Sequence, residues 1–282
     1  MEIEKTQSGE QNLKKNKSNA QQDDSITFPE SLRSRTSLKI VHVTDYHMKE
    51  QYAEKLKLWF LQKSDRDIDA VIMTGDFDTL KIYSKDPDHP EYPLSESRIS
   101  SFLRYLEFFA SPIYYVPGNH DPASMFFKNK ELQGLTPFSF NLHKETMQVA
   151  KGLFFAGIGG SCPAEKIQVK RKAGEKAKDM ELIWEGFPYA TDDESKFDIK
   201  LLDKGLSELG KAHEDPSVLL LTHNGPYFSS TCVCSYDGNE KILTGSRQIE
   251  KLILKHRDKI FLNMHGHCHS GRGLCKGKSF CG

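Results

Sequence analysis

The sequence predicts an α/β protein in which helices pack against a largely buried sheet. Short apolar runs rich in Val, Ile, Leu and Tyr are typical of strands. Longer amphipathic segments have the apolar spacing of helices. The two kinds of segment alternate along most of the chain, and such alternation is typical of layered α/β proteins.

Five elements are predicted in the first half of the chain. The run LKIVHVT at residues 38–44 predicts a strand, and the amphipathic segment at residues 52–62 predicts a helix. Apolar runs at residues 69–74 and 112–116 predict two more strands. Between these strands, residues 95–110 have apolar side chains at helical spacing: Ile99, Phe102, Leu103, Leu106 and Phe109.

The second half continues the alternation after an interruption. Residues 147–157 predict one or two strands. Residues 161–197 are charged and contain few branched side chains, so we expect an inserted surface loop there. Helices are predicted near residues 201–212 and 246–256, and each is followed by a strand, at residues 217–222 and 259–264.

The start of the chain has a different composition. Residues 1–25 are mostly Glu, Gln, Lys, Asn, Ser and Asp, with hardly any apolar side chains. Such a segment cannot offset the entropy lost on ordering. We therefore predict a disordered polar tail over residues 1–36 and one domain over residues 37–282.

Charge and hydropathy argue against several classes of protein. The chain has 39 Lys and Arg against 39 Asp and Glu, so it lacks the basic excess of a nucleic-acid-binding surface. No apolar run reaches the roughly 18 residues of a membrane span. The first residues, MEIEK, lack the apolar core of a signal peptide. We expect a cytoplasmic protein that binds neither a membrane nor a specific nucleic acid, and no motif indicates an oligomer.

Polar motifs follow five of the predicted strands, at the point where each strand ends. In open α/β sheets, ligands bind at the carboxyl ends of strands, so these side chains are expected to share one site. The motifs, in chain order, are Asp45-Tyr46-His47, Gly75-Asp76, Gly118-Asn119-His120-Asp121, His223 and Gly266-His267-Cys268-His269.

These residue types indicate a metal centre. Carboxylate, amide and imidazole groups without an obvious thiolate suit Mn, Fe or Zn better than Mg or Ca. Side chains at i and i+2 of an extended segment point the same way, so Asp45 and His47 are expected to bind one ion together. His267 and His269 can do the same if their segment is extended. Seven candidate ligands exceed the needs of one tetrahedral ion, and we predict two ions.

Each motif alone is weak evidence. A D-x-H pair often occurs by chance, G-D is usually a turn, and G-N-H-D can be an ordinary loop. G-H-x-H is the most specific motif, and a structural zinc site is its main alternative. That alternative leaves Asp45, Asp76 and Asn119 unexplained, so the ordered set favours a functional site.

This ordered set resembles the calcineurin-like metallophosphoesterase superfamily, over about residues 38–269. The resemblance implies a four-layer α-β-β-α sandwich. It also implies that His120 is the acid beside the metals and that Asp121 orients it. One implied ion is held by Asp45, His47, Asp76 and His269. The other is held by Asp76, Asn119, His223 and His267, with the Asp76 carboxylate bridging the two.

The implied activity is hydrolysis of a phosphomonoester or phosphodiester, by in-line attack of hydroxide shared between two ions. Ser/Thr protein phosphatases of the superfamily look like G-D-x-V-D-R-G and G-N-H-E, whereas this chain has GDFDTL and GNHD. The phosphate-clamping arginine is absent at this position, which favours a small phosphomonoesterase or phosphodiesterase. The alternative is a non-catalytic protein-binding scaffold on the same fold. The presence of every ligand position and of His120 disfavours it.

The C-terminal end departs from the family pattern. In related sequences, G-H-x-H is usually followed by a hairpin strand and an Asn-Pro-Gly-Ser turn. This chain ends at Phe280-Cys281-Gly282 before such a turn. Either the family end is trimmed in this chain or the sequence is a fragment, and in both cases the given residues would lack one or more C-terminal strands of the sandwich.

Overall fold

A computed structural model of the chain describes residues 37–62, 68–128, 132–168, 181–227, 229–237 and 240–269. The tail predicted for residues 1–36 and the strands expected to be missing after His269 lie outside these residues. Within them, twelve strands form three four-stranded sheets, and five α-helices accompany the strands. No helix in this part of the chain is long and apolar enough to cross a membrane.

Strands and helices alternate along much of the described chain. The strands are β1 (Ile40–Val43), β2 (Ala70–Met73), β3 (Ile113–Tyr115), β4 (Ser139–Asn141), β5 (Thr146–Ala150), β6 (Leu153–Ile158), β7 (Ala164–Gln168), β8 (Glu181–Trp184), β9 (Ser217–Thr222), β10 (Val233–Asp237), β11 (Glu240–Leu243) and β12 (Ile260–His265). The α-helices are α1 (Glu50–Gln62), α2 (Tyr92–Glu107), α3 (Ser124–Phe127), α4 (Lys196–Ala212) and α5 (Arg247–Lys255). A short 3₁₀ helix covers Ser230–Cys232.

The first sheet is entirely parallel and has the order β1-β2-β3-β4. Its register pairs Ile40 with Ala70, Val71 with Ile113, and Ile113 with Ser139. Strand β2 reads AVIM and is fully buried, as expected for a parallel strand covered on both faces. A helix connects each strand to the next, so all four strands end at the same edge.

The second sheet has the order β12-β9-β6-β5. Strand β9 pairs in parallel with β6 and with β12, whereas β5 and β6 form an antiparallel pair. The β9 sequence, SVLLLT, is buried from Val218 to Thr222 because neighbouring strands and layers surround it. Three strands of this sheet therefore also end at one common edge.

An apolar layer joins the two sheets face to face. Ile72 and Tyr114 of the first sheet belong to one buried cluster with Phe155, Leu219 and Leu221 of the second. The rings of Tyr114 and Phe155 meet edge to face, with 4.9 Å between their centroids. The two sheets therefore form the middle of the molecule.

Helices cover the outer face of each sheet. Phe60 of α1 and Leu103 of α2 share a buried cluster with Val71 of the first sheet. Leu202 of α4 and Leu252 of α5 share another with the second sheet. The order of layers is helix, sheet, sheet, helix. The structure confirms the α/β class and the four-layer sandwich that the resemblance implied.

The third sheet contradicts the expected surface loop at residues 161–197. Strands β7 and β8 lie within that range and join an antiparallel sheet of order β10-β11-β7-β8. The β7 sequence, AEKIQ, contains only two apolar residues, and its backbone hydrogen bonds come from pairing with β11. Helix α4 also starts at Lys196, five residues before the predicted start. Helix α3 and strand β4 are too short for their periodicity to be recognised.

Candidate metal centre

The predicted ligands lie on loops at the carboxyl ends of the strands. Strands β1, β2 and β3 of the first sheet and β9 and β12 of the second each lead into one of these loops. Ligands bind at this edge in open α/β sheets. The side chains that the loops carry are Asp45, His47, Asp76, Asn119, His223, His267 and His269.

The first ligand cluster consists of four side chains whose ligand atoms lie within 4.8 Å of one another: Asp45, His47, Asp76 and His269. The Nε2 atoms of His47 and His269 are 3.3 Å apart. His269 Nε2 is also 3.3 Å from Asp45 Oδ1, and His47 Nε2 is 3.7 Å from Asp76 Oδ2. Four donor atoms therefore surround one small volume.

The second ligand cluster consists of Asp76, His223 and His267, again with ligand atoms within 4.8 Å. Asn119 Oδ1 lies 2.9 Å from His223 Nε2, so the Asn119 side-chain amide is adjacent to the second ligand cluster. His223 Nε2 is 3.4 Å from Asp76 Oδ1. Asp76 thus belongs to both clusters, with Oδ1 towards the second and Oδ2 towards the first.

Backbone carbonyl groups fix the orientation of two imidazoles. His47 Nδ1 donates to the Asp78 carbonyl at 3.2 Å, and His223 Nδ1 donates to the Thr74 carbonyl at 2.7 Å. A carbonyl oxygen only accepts, so Nδ1 carries the hydrogen in both rings. Nε2 therefore presents its lone pair to the clusters, the arrangement typical of metal-binding histidines.

The clusters have the chemistry of a cation site. Burial lowers the pKa of His47, and burial together with the charge of His223 lowers the pKa of His267 to about 3. Burial opposes ionisation of Asp45, but the hydrogen bond from His269 and the charge of His223 lower its pKa overall. The lowered pKa values favour neutral imidazoles at His47 and His267 and an ionised carboxylate at Asp45, whereas the hydrogen bond to Asp45 raises the pKa of His269. A divalent ion with nitrogen and oxygen ligands would stabilise this donor set. The residues present fit such ions.

The ligand loops have an unusual backbone conformation. Asp45, His47, Asp76 and His267 have φ angles of 51°, 53°, 54° and 69°. This left-handed region is sparsely populated by residues with a side chain, and such conformations concentrate at functional sites. The extended conformation expected for Asp45 to His47 is therefore wrong, because a left-handed turn brings these side chains together. His267 and His269 lie in different clusters, so the shared ion that an extended segment would have allowed is not formed by this pair.

Two glycines let the loops approach each other closely. Gly75 has a φ of 90°, and a Cβ there would lie 2.5 Å from Gly118 N and 2.6 Å from His223 Nδ1. A Cβ at Gly118 would lie 2.2 Å from Asp76 Oδ1. No side chain fits at either position, so glycine is required by the distance between the loops.

His120 lies beside the first cluster, and its role as the acid stays a prediction. Its ring centroid is 5.3 Å from that of His47, and its backbone N–H donates to Asp76 Oδ1 at 2.9 Å. His120 Nδ1 donates to the Leu80 carbonyl at 2.8 Å. The Leu80 carbonyl therefore orients the ring, and Nε2 is left available.

Asp121 contacts backbone groups of two loops, and its role as the group that orients His120 stays a prediction. Its carboxylate accepts hydrogen bonds from the backbone N–H groups of Phe77, Asp78 and Gly118, at 2.8, 3.1 and 2.7 Å. Burial and the negative charge of Asp76 raise the pKa of Asp121. Asp121 therefore ties the loop after β2 to the loop after β3.

Sequence reasoning missed Asp78, the second acid of the GDFD motif. It is 2% exposed, and its Oδ2 accepts hydrogen bonds from Ser95 Oγ and Arg98 Nη2 of helix α2, each at 2.5 Å. Its carbonyl group orients His47. The spacing of the two acids is visible in the sequence. The contact between the Asp78 carbonyl and His47 is not, because every residue has a backbone carbonyl group and the sequence does not mark which one is used.

Comparison with solved structures supports the fold. Twenty chains match, and one crystal structure aligns with a TM-score of 0.52 at 12% identity. The alignment covers 83% of this chain and 84% of the other. At this identity the likeness shows the fold alone. No curated protein matches the chain.

Comparison with family models is more specific. Residues 38–271 match the model described as calcineurin-like phosphoesterase. The match includes every motif residue from Asp45 to His269, and it confirms the resemblance seen in the motifs. The chain therefore belongs to the calcineurin-like phosphoesterase family.

Proposed function

We propose that this chain is a dinuclear metal-dependent phosphoesterase that hydrolyses a phosphomonoester or a phosphodiester. The observation that carries the proposal is the position of Asp76. Its two carboxylate oxygens face two separate ligand clusters, at 3.7 Å from His47 Nε2 and 3.4 Å from His223 Nε2. A carboxylate shared in this way is suited to bridging two ions.

The proposed ligand sets follow the clusters. Asp45, His47, Asp76 and His269 would hold one ion, and Asp76, Asn119, His223 and His267 the other. Mn, Fe or Zn suits this mixture of nitrogen and oxygen donors. When bound, two such ions supply Lewis-acid stabilisation of phosphoryl oxygens and a lowered pKa of water.

The chain's own residues would position the substrate and transfer a proton. His120 donates from Nδ1 to the Leu80 carbonyl, so Nε2 is free to bond with the leaving oxygen of the ester. Histidine is suited to this role because its charge changes near neutral pH. Asp121 would hold the loops of Asp76 and Asn119 in the geometry that the ligands need.

The substrate class is proposed on the motif comparison. The GDFDTL sequence at residues 75–80 lacks the arginine of the protein phosphatases, which supports a small phosphoester over a phosphoprotein. A cytoplasmic location stays a prediction.

The test is hydrolysis of p-nitrophenyl phosphate and bis(p-nitrophenyl) phosphate by the full chain with added Mn²⁺. We expect turnover of at least one ester, and a loss of about 100-fold or more in Asp76→Asn and in His120→Ala. Asp258→Asn is the matched control, because Asp258 is exposed and pairs only with neighbouring Lys259 in the described structure. Metal content measured by mass spectrometry should be two ions per chain and should fall in Asp76→Asn.

Two outcomes would contradict the proposal. Metal-loaded protein that hydrolyses neither ester would favour the non-catalytic scaffold on the same fold. Full activity in both variants would show that the site residues are wrongly assigned, whatever the reaction.

A further inference from the structure

A groove extends from the first ligand cluster along helix α1. Its volume is about 570 Å³, within the usual range for small-ligand pockets. One end is lined by Asp45 and His269 of the cluster, and one wall by Tyr52, Lys55 and Trp59 of α1. A phosphoester bound at the cluster would therefore place its organic part in or near this groove.

The wall is one face of the helix. Tyr52, Lys55 and Trp59 have the spacing i, i+3 and i+7, so their side chains lie in one row. The row is about 10 Å long, because a helix rises about 1.5 Å per residue. Phe60, in contrast, is buried against the first sheet, and Leu56 both lines the groove and packs on the same cluster. The groove wall is thus continuous and anchored from behind.

Aromatic surface is open to the groove. Tyr52 is 39% exposed and Trp59 is 37% exposed, although large aromatic side chains usually contribute to the core. Tyr46, the third aromatic residue of the groove, stacks on Phe102 with 3.9 Å between ring centroids and is buried. Trp59 therefore offers a ring face on which a flat ligand can stack.

Two lysines, Lys49 and Lys55, also line the groove beside Tyr52. The ammonium groups of Lys49 and Lys55 lie 5.5 and 6.0 Å from the centroid of the Tyr52 ring. Neither lysine forms an ion pair with a carboxylate within the described residues. Two cations that lack a counter-charge beside a phosphate-binding centre are complementary to a second anionic group.

We propose that this groove makes the enzyme selective for nucleoside diphosphates, an inference that rests on the proposed function and extends it from phosphoesters to a phosphoanhydride. The aromatic ring of the substrate stacks on Trp59, and an inner phosphate pairs with Lys49 and Lys55. The terminal phosphate then lies at the ligand clusters. Water attacks its phosphorus atom and breaks the phosphoanhydride bond, so ADP and H₂O give AMP and inorganic phosphate. An aliphatic monophosphate has no second phosphate for the two lysines and no aromatic ring to stack on Trp59.

The kinetic test compares ADP with β-glycerophosphate in the Mn²⁺-loaded full chain. We expect a lower KM for ADP. The preference is expressed as the KM for β-glycerophosphate divided by the KM for ADP. Trp59→Ala should reduce this ratio about tenfold, the usual effect of removing a stacked aromatic ring. The double variant Lys49→Gln, Lys55→Gln should also reduce it. Lys57→Gln is the matched control, since Lys57 is exposed on the same helix and outside the groove.

A binding test needs no turnover. The chain has two tryptophans, so the variant Trp184→Phe leaves Trp59 as the sole indole fluorophore. We expect ADP to quench this fluorescence in chelator-treated protein, and ribose 5-phosphate, which lacks the aromatic ring, not to quench it.

The outcomes separate this inference from the function on which it rests. Hydrolysis of ADP and β-glycerophosphate with equal KM values, together with no quenching by ADP, would overturn the groove assignment. The phosphoesterase proposal would stand. If no ester is hydrolysed, the phosphoesterase proposal fails, and the fluorescence titration alone decides whether the groove binds nucleotides.

Discussion

Asp121 shows how one buried carboxylate supports the geometry of the ligand loops. It accepts hydrogen bonds from three backbone N–H groups on two loops and is 1% exposed. Burial and the charge of Asp76 raise its pKa, whereas the three N–H groups favour the charged form. Because its oxygens are fully engaged by backbone donors, its effect on catalysis is through the positions of Asp76 and Asn119.

Asp121→Asn is therefore expected to reduce both stability and metal binding. The amide NH₂ group of asparagine would face N–H donors, which leaves at least one buried donor without an acceptor. We expect a loss of about 1–3 kcal/mol in the free energy of unfolding, measured by urea denaturation. Asp258→Asn is the control for an exposed carboxylate. Unchanged stability together with full metal content would contradict this role.

The residue types of the site were predictable, but the conformation of its loops was not. Ligand-capable side chains at strand ends are visible in the sequence, and the structure brings those of Asp45, His47, Asp76 and His269 together. The left-handed φ of Asp45 is not visible, because no glycine or other local signal marks it. The hydrogen bond that His120 Nδ1 donates to the Leu80 carbonyl is equally hidden, since its acceptor is a backbone group.

At the scale of elements, one ion pair connects the third sheet to helix α5. Arg247 at the start of α5 donates two hydrogen bonds to Glu165 of β7, each 2.9 Å long. Tyr227 donates a third at 2.6 Å, and its ring lies 3.9 Å from the Arg247 guanidinium carbon. This bidentate ion pair fixes strand β7 against the start of helix α5. It is stronger than an ion pair with a single hydrogen bond on the surface.

The pair makes stability depend on pH in a predictable direction. Burial opposes ionisation of Glu165, but the hydrogen bonds from Arg247 and Tyr227 outweigh it and lower the pKa. Because the folded-state pKa lies below the unfolded-state value, the pair stabilises the protein above about pH 4.5. The stabilisation is lost as the pH falls through the folded-state pKa.

Glu165→Gln is expected to lower the free energy of unfolding by about 1 kcal/mol at pH 7, a value reduced by solvent screening. The difference from the parent should vanish when the pH is taken below the folded-state pKa of Glu165. Urea denaturation from pH 3 to pH 7 measures this, with Glu194→Gln, an exposed ion-pair residue, as control. A difference that is constant across the range would contradict the pH argument.

Strong apolar periodicity explains which elements were predictable. Strand β9 is buried along most of its length, and helix α2 buries one face. Their apolar patterns therefore indicate a strand and a helix without any information from the rest of the chain. Strands β7 and β8 of the third sheet are short and partly polar, and they depend on pairing with segments far along the chain. Tertiary pairing of this kind outweighs local propensity and has no local signal.

At the scale of the whole molecule, the metal centre joins the two sheets. The loops of Asp45 and Asp76 belong to the first sheet, and the loops of His223 and His267 to the second. Any ion held by these residues binds the folded state and not the unfolded chain, so binding stabilises the whole domain by mass action.

Removal of metal is accordingly expected to lower the thermal midpoint. With ions in excess of their dissociation constants, chelation should reduce the midpoint by roughly 5–10 °C, measured by calorimetry of Mn²⁺-loaded protein with and without EDTA. Asp76→Asn should show a smaller shift, because it has lost the bridging carboxylate. An identical midpoint with and without chelator in the parent would contradict the assignment of the ligands.

The arrangement of the ligands along the chain has a consequence for biosynthesis. His47 and His269 contact each other although they lie 222 positions apart in the chain, so neither cluster is complete until the segment with His267 and His269 has been synthesised. A nascent polypeptide on the ribosome offers only partial sets of donors. A complete set of donors therefore arises only after the segment with His267 and His269 has emerged from the ribosome and packed against the earlier loops.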